Sequence, residues 1–135
     1  MKDVPAREQD GSREGEMSER YQTFQDFWPF YVSQHMNATT RALHFAGTVI
    51  VCACLLAALF VSGLWMALAP VAGYGFAWVG HFFFERNRPA TFTYPLWSLR
   101  GDFRMFRLML TGRMGPEIER AARLFPSATV GAASV

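Results

Sequence analysis

The chain contains three histidines, His35, His44 and His81, and their spacing gives the sequence its candidate chemistry. His44 and His81 each lie 18 residues from the Ser62–Gly63 pair. If the chain reverses there, the two imidazoles sit at matching depth in an antiparallel hairpin. Glu85 follows His81 at i+4 and so shares its helix face. His35 precedes His44 by nine residues, and a turn around Asn37–Thr40 brings it over the same place. Three imidazoles with one carboxylate suit a first-row divalent metal: iron(II) in an oxygen-activating site takes such ligands, and zinc accepts them as well. The competing reading is three unrelated histidines, each hydrogen-bonded separately. Asn37, Arg41, Asn87 and Arg88 lie beside these positions. Arg41 or Arg88 offers a fork for a substrate carboxylate, or serves only as a charged membrane anchor.

The elements that must position this set follow from hydropathy. From Ala42 to Phe84 there is no Asp, Glu, Lys or Arg, a run of 43 residues. A bilayer core of about 30 Å takes about 20 helical residues, so the run fits two spans, about 42–61 and 64–84. A pair of covered helices in a soluble protein is the rival, but the rest of the chain is short for covering both. Pro70 should bend the second span, because it lacks the amide that would bond the Met66 carbonyl. Gly73, Ala77 and Gly80 form a small-residue stripe, with Gly47 as a partner on the other span or for contact between two chains in a homo-oligomer. Arg41 precedes the hairpin; Arg86, Arg88, Arg100, Arg104, Arg107 and Arg113 follow it; the turn is uncharged. The positive-inside rule then places both termini in the cytoplasm.

The flanks are helical by pattern. Tyr21, Phe24, Phe27, Trp28, Tyr31 and Val32 make an aromatic stripe at helical spacing. It predicts an interfacial helix over about 18–35, capped by Ser18 and kinked or broken by Pro29 near Phe27–Trp28. Leu96 to Leu110, interleaved with Arg100, Arg104 and Arg107, reads as a basic amphipathic helix on the membrane surface, about 96–112. A short helix follows over about 116–125. Residues 1–17 are almost wholly polar and read as a disordered tail, and 126–135 as a flexible one. Together these give an all-α membrane domain over 18–125, in which a transmembrane hairpin is flanked by amphipathic helices.

Composition removes several function classes. The net charge of +2 and the lack of any basic–aromatic module argue against nucleic acid as a partner. The N-terminus has no apolar stretch and is not a secretory signal. Cys52 and Cys54, at i, i+2, face different sides of a helix and read as small apolar fillers.

Three segments, Tyr31–Asn37, Arg41–Gly47 and Trp78–Ala90, resemble the 2-hydroxy fatty acid dioxygenase family. The likeness runs from about Tyr21 to Met109. Its most specific pieces are the two-histidine block and the Gly80–His81 block that ends in Arg88–Pro89–Ala90. The resemblance implies a membrane-bound, Fe(II)-dependent α-oxidation. A 2-hydroxy fatty acid and O₂ give the acid one carbon shorter, CO₂ and water, with the substrate supplying the electrons. It also implies iron ligands at His35, His44 and His81; Glu85 is added by helix spacing alone. Where eukaryotic members carry a further histidine, this chain has Gln34. The continuation Thr91–Ser98 looks like the bacterial branch, which would place the protein in the inner membrane. Two alternatives stand beside this one: another metal-dependent lipid enzyme such as a zinc hydrolase, and a non-enzymatic membrane adaptor or lipid-binding protein.

Overall fold

A computed structural model describes residues 20–128; the expected N-terminal tail and most of the C-terminal one lie outside them. The described residues are helical, without a strand. In order they form α1 (Phe24–Ser33), α2 (Ala38–Phe60), a 3-10 turn (Gly63–Ala67), α3 (Leu68–Val79), a π-helical segment (Gly80–Glu85), a 3-10 turn (Ala90–Phe92), α4 (Pro95–Leu110) and α5 (Gly115–Leu124).

Two stretches, Ala38–Phe60 and Gly63–Glu85, are long and apolar enough to cross a membrane, and only 22% and 17% of their apolar windows are buried. Leu56, Leu59, Phe60, Val61, Leu64 and Val71 are all more than half exposed. A soluble protein does not leave so large an apolar surface in water, so the covered-helix alternative fails and the hairpin fits a membrane protein. Ser62 makes the reversal as expected: it stands between α2 and the 3-10 turn, with its hydroxyl accepting from Leu64 N. Pro70 acts differently from the expected mid-span bend. It occupies the first turn of α3, directly after the 3-10 turn. Its missing N–H is tolerated there, and the stiff ring marks the change from 3-10 to α.

The small-residue stripe works within the hairpin. A Cβ on Gly47 would stand 3.0 Å from Phe76 Cβ, one on Gly73 would stand 3.2 Å from Val51 Cγ2, and one on Gly80 would stand 2.8 Å from Thr40 Cγ2. The helices therefore meet backbone to side chain, closest at the end that carries the histidines. There Thr40 Oγ1 also donates to the Gly80 carbonyl at 3.3 Å.

The hydrophobic core lies outside the spans. Phe27, Trp28, Tyr31 and Val32 of α1 are fully buried against Met105 of α4, Met114 at the start of α5, and Ala121 of α5. The aromatic stripe is thus core rather than an interfacial face, which corrects the sequence expectation. α1 begins later than expected, and Thr23 caps it; the expected cap Ser18 lies outside the described residues. Thr23 Oγ1 accepts from Asp26 N and donates to the Asp26 carboxylate, a reciprocal cap. The helix runs through Pro29 without a break. Tyr21, ahead of the helix, donates its N–H to Tyr94 Oη at 3.2 Å.

α4 shows two apolar faces. Ser98, Gly101 and Met105 face the core, while Leu96, Leu99, Phe103 and Leu110 stay exposed, a face suited to lipid. Its arginines lie over aromatic rings, Arg100 on Phe24 at 4.1 Å and Arg104 on Trp28 at 4.4 Å. Arg104 also pairs with Glu117 at 3.4 Å, and Glu117 accepts from Trp28 Nε1 at 2.8 Å. That network fastens α5 to α1. Between the two helices Gly112, at φ +66°, lets Arg113 N reach the Leu108 carbonyl at 2.7 Å, closing α4 in a Schellman turn.

Gly80→Val forces atoms into Thr40 and is expected to destabilise by about 1–3 kcal/mol through overpacking. Gly75→Ala, which meets nothing within 4 Å, is expected to be neutral or slightly stabilising, by up to about 1 kcal/mol of helix propensity. Thermal unfolding of the two variants in one detergent checks this; equal behaviour would contradict the close approach at Gly80.

Candidate metal centre

Four elements meet where the hairpin enters the cap. α1 ends at Ser33, and four residues later Asn37 caps α2, its side chain accepting from Thr39 N at 2.8 Å. The turn is therefore Gln34–Asn37, three residues earlier than the expected Asn37–Thr40, and it leaves His35 facing α2. His44 lies one and a half turns into α2. His81 sits in the π-helical segment at the end of the second span, where one extra residue per turn re-aims a side chain.

That segment stops in a costly conformation. Arg86 has φ 56°, a left-handed backbone that a non-glycine residue adopts at about 1–3 kcal/mol. Its effect is to fold Asn87 back: Asn87 N donates to the His81 carbonyl at 3.0 Å. The Asn87 side chain is then held between Gln34 and His81. Its Nδ2 donates to the Gln34 carbonyl at 3.0 Å and to Gln34 Oε1 at 3.1 Å. Oδ1 is thereby turned to His81 Nδ1, 2.7 Å away.

The three rings are nearly perpendicular to one another, with centroids 4.5, 4.6 and 5.2 Å apart. All three histidines are buried, and each offers a ligand atom within 4.8 Å of the others. His35 Nδ1 lies 2.6 Å from the Tyr31 carbonyl, His44 Nδ1 lies 2.9 Å from Asp102 Oδ1, and His81 Nδ1 meets an amide oxygen. A carbonyl, a carboxylate and an amide oxygen accept only. Each Nδ1 therefore carries the proton, and each Nε2 keeps its lone pair. His35 lies outside the spans, and burial, with the neighbouring imidazoles adding to it, holds it well below the usual histidine range, so it is neutral at pH 7.

His35 Nε2 and His44 Nε2 are 3.2 Å apart. With both Nδ1 atoms protonated, this is a contact of two acceptors, and nothing satisfies it except a shared proton or a cation. Metal–imidazole bonds of about 2.0–2.1 Å place two ligating nitrogens about 3 Å apart, so the separation matches a metal's coordination edge. The second partners are those a metal site uses: an Nδ1–H given to a carboxylate or carbonyl fixes the tautomer and orients the ring. The residues present fit a divalent cation held by three imidazoles.

Glu85 is not in this group. Its carboxylate accepts from Asn37 N at 2.6 Å and braces the end of the second span against the start of the first. Helix spacing put it on the face of His81, but the π-helical turn changes that register. Arg41 is committed to the turn that carries His35, donating from Nη1 to the carbonyls of His35 and Met36, both at 2.8 Å. Asn37 is a helix cap, and Asn87 orients a ligand. Arg88 is exposed over Phe92 at 5.1 Å, and none of its N–H groups bonds a described residue.

Two further residues complete the site: Asp102, which no motif in the sequence marks as a site residue, and Tyr31, which the sequence marks only as part of the aromatic stripe and the family-like segment. Asp102 accepts from His44 and, by the same oxygen, from Tyr31 Oη. It is the only acid in Pro95–Leu110 and shares the buried stripe of Ser98 and Met105, an anomaly that could have singled it out. Tyr31 serves two histidines, His35 through its carbonyl and His44 through Asp102. Burial, reinforced by Asp102, holds its phenol well above the usual tyrosine range. It reaches Asp102 because Gly101 leaves room: a Cβ there would stand 3.0 Å from the Tyr31 ring. A cavity of about 270 Å³ opens beside His44 and Asp102.

Residues 21–114 match the model of the family described as 2-hydroxy-palmitic acid dioxygenase Mpo1-like, and the chain belongs to that family. Neither the curated proteins nor the solved structures contain a match to the chain.

Asp102→Asn replaces a charged acceptor by a weaker one behind His44. Loss of such a partner typically costs about 10–100-fold in metal affinity. Competition with a chelator on the folded protein should show that loss, with Tyr31→Phe affected less. Wild-type affinity in Asp102→Asn would contradict the bracing role.

Proposed function

We propose that this member of the 2-hydroxy-palmitic acid dioxygenase Mpo1-like family is a membrane-bound, iron(II)-dependent dioxygenase that shortens 2-hydroxy fatty acids by one carbon. The observation that carries the reading is the buried set of three Nε2 lone pairs on His35, His44 and His81, in a chain whose family is described as 2-hydroxy-palmitic acid dioxygenase Mpo1-like.

The reaction balances without a further reductant. The 2-hydroxy acid loses four electrons in becoming CO₂ and the shorter acid, and O₂ takes up four, its two atoms passing into the products, among them one water. Bound iron(II) supplies the chemistry with O₂ that no side chain provides; His35, His44 and His81 would hold it. The chain's own groups do the rest. The Tyr31 carbonyl, Asp102 and Asn87 keep the three imidazoles in one tautomer. The cap of α1 and α4 covers the rings and excludes water, which strengthens every polar interaction inside. Arg88, with its N–H groups unengaged, is the arginine left to meet a substrate carboxylate.

The site stands at the end of the hairpin that carries the arginines, opposite the uncharged Ser62–Gly63 turn. By the positive-inside rule that end, with both termini, faces the cytoplasm; in a bacterial cell the membrane is the inner one. An acyl chain can then stay in lipid while its head rises to the site.

The test is turnover of 2-hydroxyhexadecanoic acid by iron-loaded protein, following O₂ uptake and pentadecanoic acid together. Wild type should consume O₂ and form the shorter acid in equal amounts. His81→Ala should do neither while keeping the wild-type circular dichroism. Product from His81→Ala, or none from the iron-loaded wild type, would overturn the proposal, and product formed without O₂ would point to a hydrolase.

A further inference from the structure

The cavity beside His44 continues away from the histidines, between α2, α3 and α4. On α2 its wall is His44, Thr48 and Val51; on α3 it is Ala69, Gly73 and Ala77. Each set recurs at i, i+3/i+4 spacing, so each is one continuous helix face. From His44 to Val51 the groove runs about 10 Å at 1.5 Å per residue. One end holds the charged and polar pair Asp102 and His44. The other end is set by Val51 and Ala69, both apolar. On α3 Pro70 and Tyr74 join these small residues, and Leu99 and Phe103 of α4 face them across the lane. The groove is half-open and lies in the segment whose outer surface is lipid-facing.

We propose that this groove is the acyl-chain channel of the site. A single unbranched acyl chain lies along the seam of α2 and α3, under Leu99 and Phe103 of α4, with its polar head at His44 and Asp102, and Ala77 and Ala69 determine how much of the chain enters. The nature of the head group rests on the function proposed above; the channel itself rests on the groove. A chain longer than the groove continues into the bilayer through the open side.

The full-length protein in phosphatidylcholine nanodiscs, kept anaerobic, is labelled with 2-hydroxyhexadecanoic acid bearing a diazirine at carbon 10. After irradiation, label should concentrate on Val51 and Ala69 at the far end, and unlabelled 2-hydroxyhexadecanoic acid should displace it. Ala77→Phe, which fills the lane, should lose the groove label while retaining wild-type circular dichroism and iron uptake. Label spread evenly over the outward Leu55, Leu59 and Val71, or label that the free acid fails to displace, would mean bilayer lipid only and would overturn the channel. So would unchanged labelling in a folded Ala77→Phe. If that variant fails to fold, the wild-type map decides alone. Without O₂ there is no turnover, so the map is read independently of the reaction. Groove label with no product in air would retire the oxidation and keep the channel, and product with label on the outer faces would do the reverse.

Discussion

Each of three buried imidazoles gives its Nδ1 proton outward, to the Tyr31 carbonyl, to Asp102 and to Asn87, and so turns an Nε2 lone pair toward the other two. Acceptors left facing one another away from water cost free energy of about 1–3 kcal/mol each. A fold that only needed stability would not assemble three of them. Much of the rest of the architecture can be understood as holding this arrangement. The π-helical turn and the left-handed Arg86 aim His81 and return Asn87 to it. Arg41 ties down the carbonyls of the turn that carries His35.

The division of the molecule follows. The spans have almost no interior of their own, and their apolar surface is left for lipid. The packed core belongs to the cap, where α1 lies against α4 and α5. The cap supplies the outward partners of two of the three histidines, Tyr31 from α1 and Asp102 from α4. The hairpin supplies two of the histidines and, together with α4, the apolar groove. A site built this way joins a polar, water-excluded chamber to a lane continuous with the bilayer, which is what a substrate with a polar head and a long chain requires.

The long apolar run, its reversal at Ser62–Gly63 and the meeting of His35, His44 and His81 were legible in the sequence. Length against bilayer thickness and symmetry about one turn are enough to read them. The aromatic stripe was legible as a helix face but not as core, because aromatic residues suit both a packed interior and a membrane interface. Glu85 was misplaced because i, i+4 spacing assumes an α-helix, and no local signal marks a π-helical turn. Asp102 lies 58 residues from His44, and that pairing is tertiary; only its oddity as the lone acid on a basic helix showed. Pro70 reads as a kink only if the helix before it is α.

The most direct test of the central claim is anaerobic titration of iron(II) into the metal-free protein, followed by X-ray absorption at the iron edge. Binding of about one iron per chain, with imidazole nitrogens at about 2.1 Å as the protein ligands, is the predicted result. No uptake by the folded protein, or iron held without imidazole, would contradict the account.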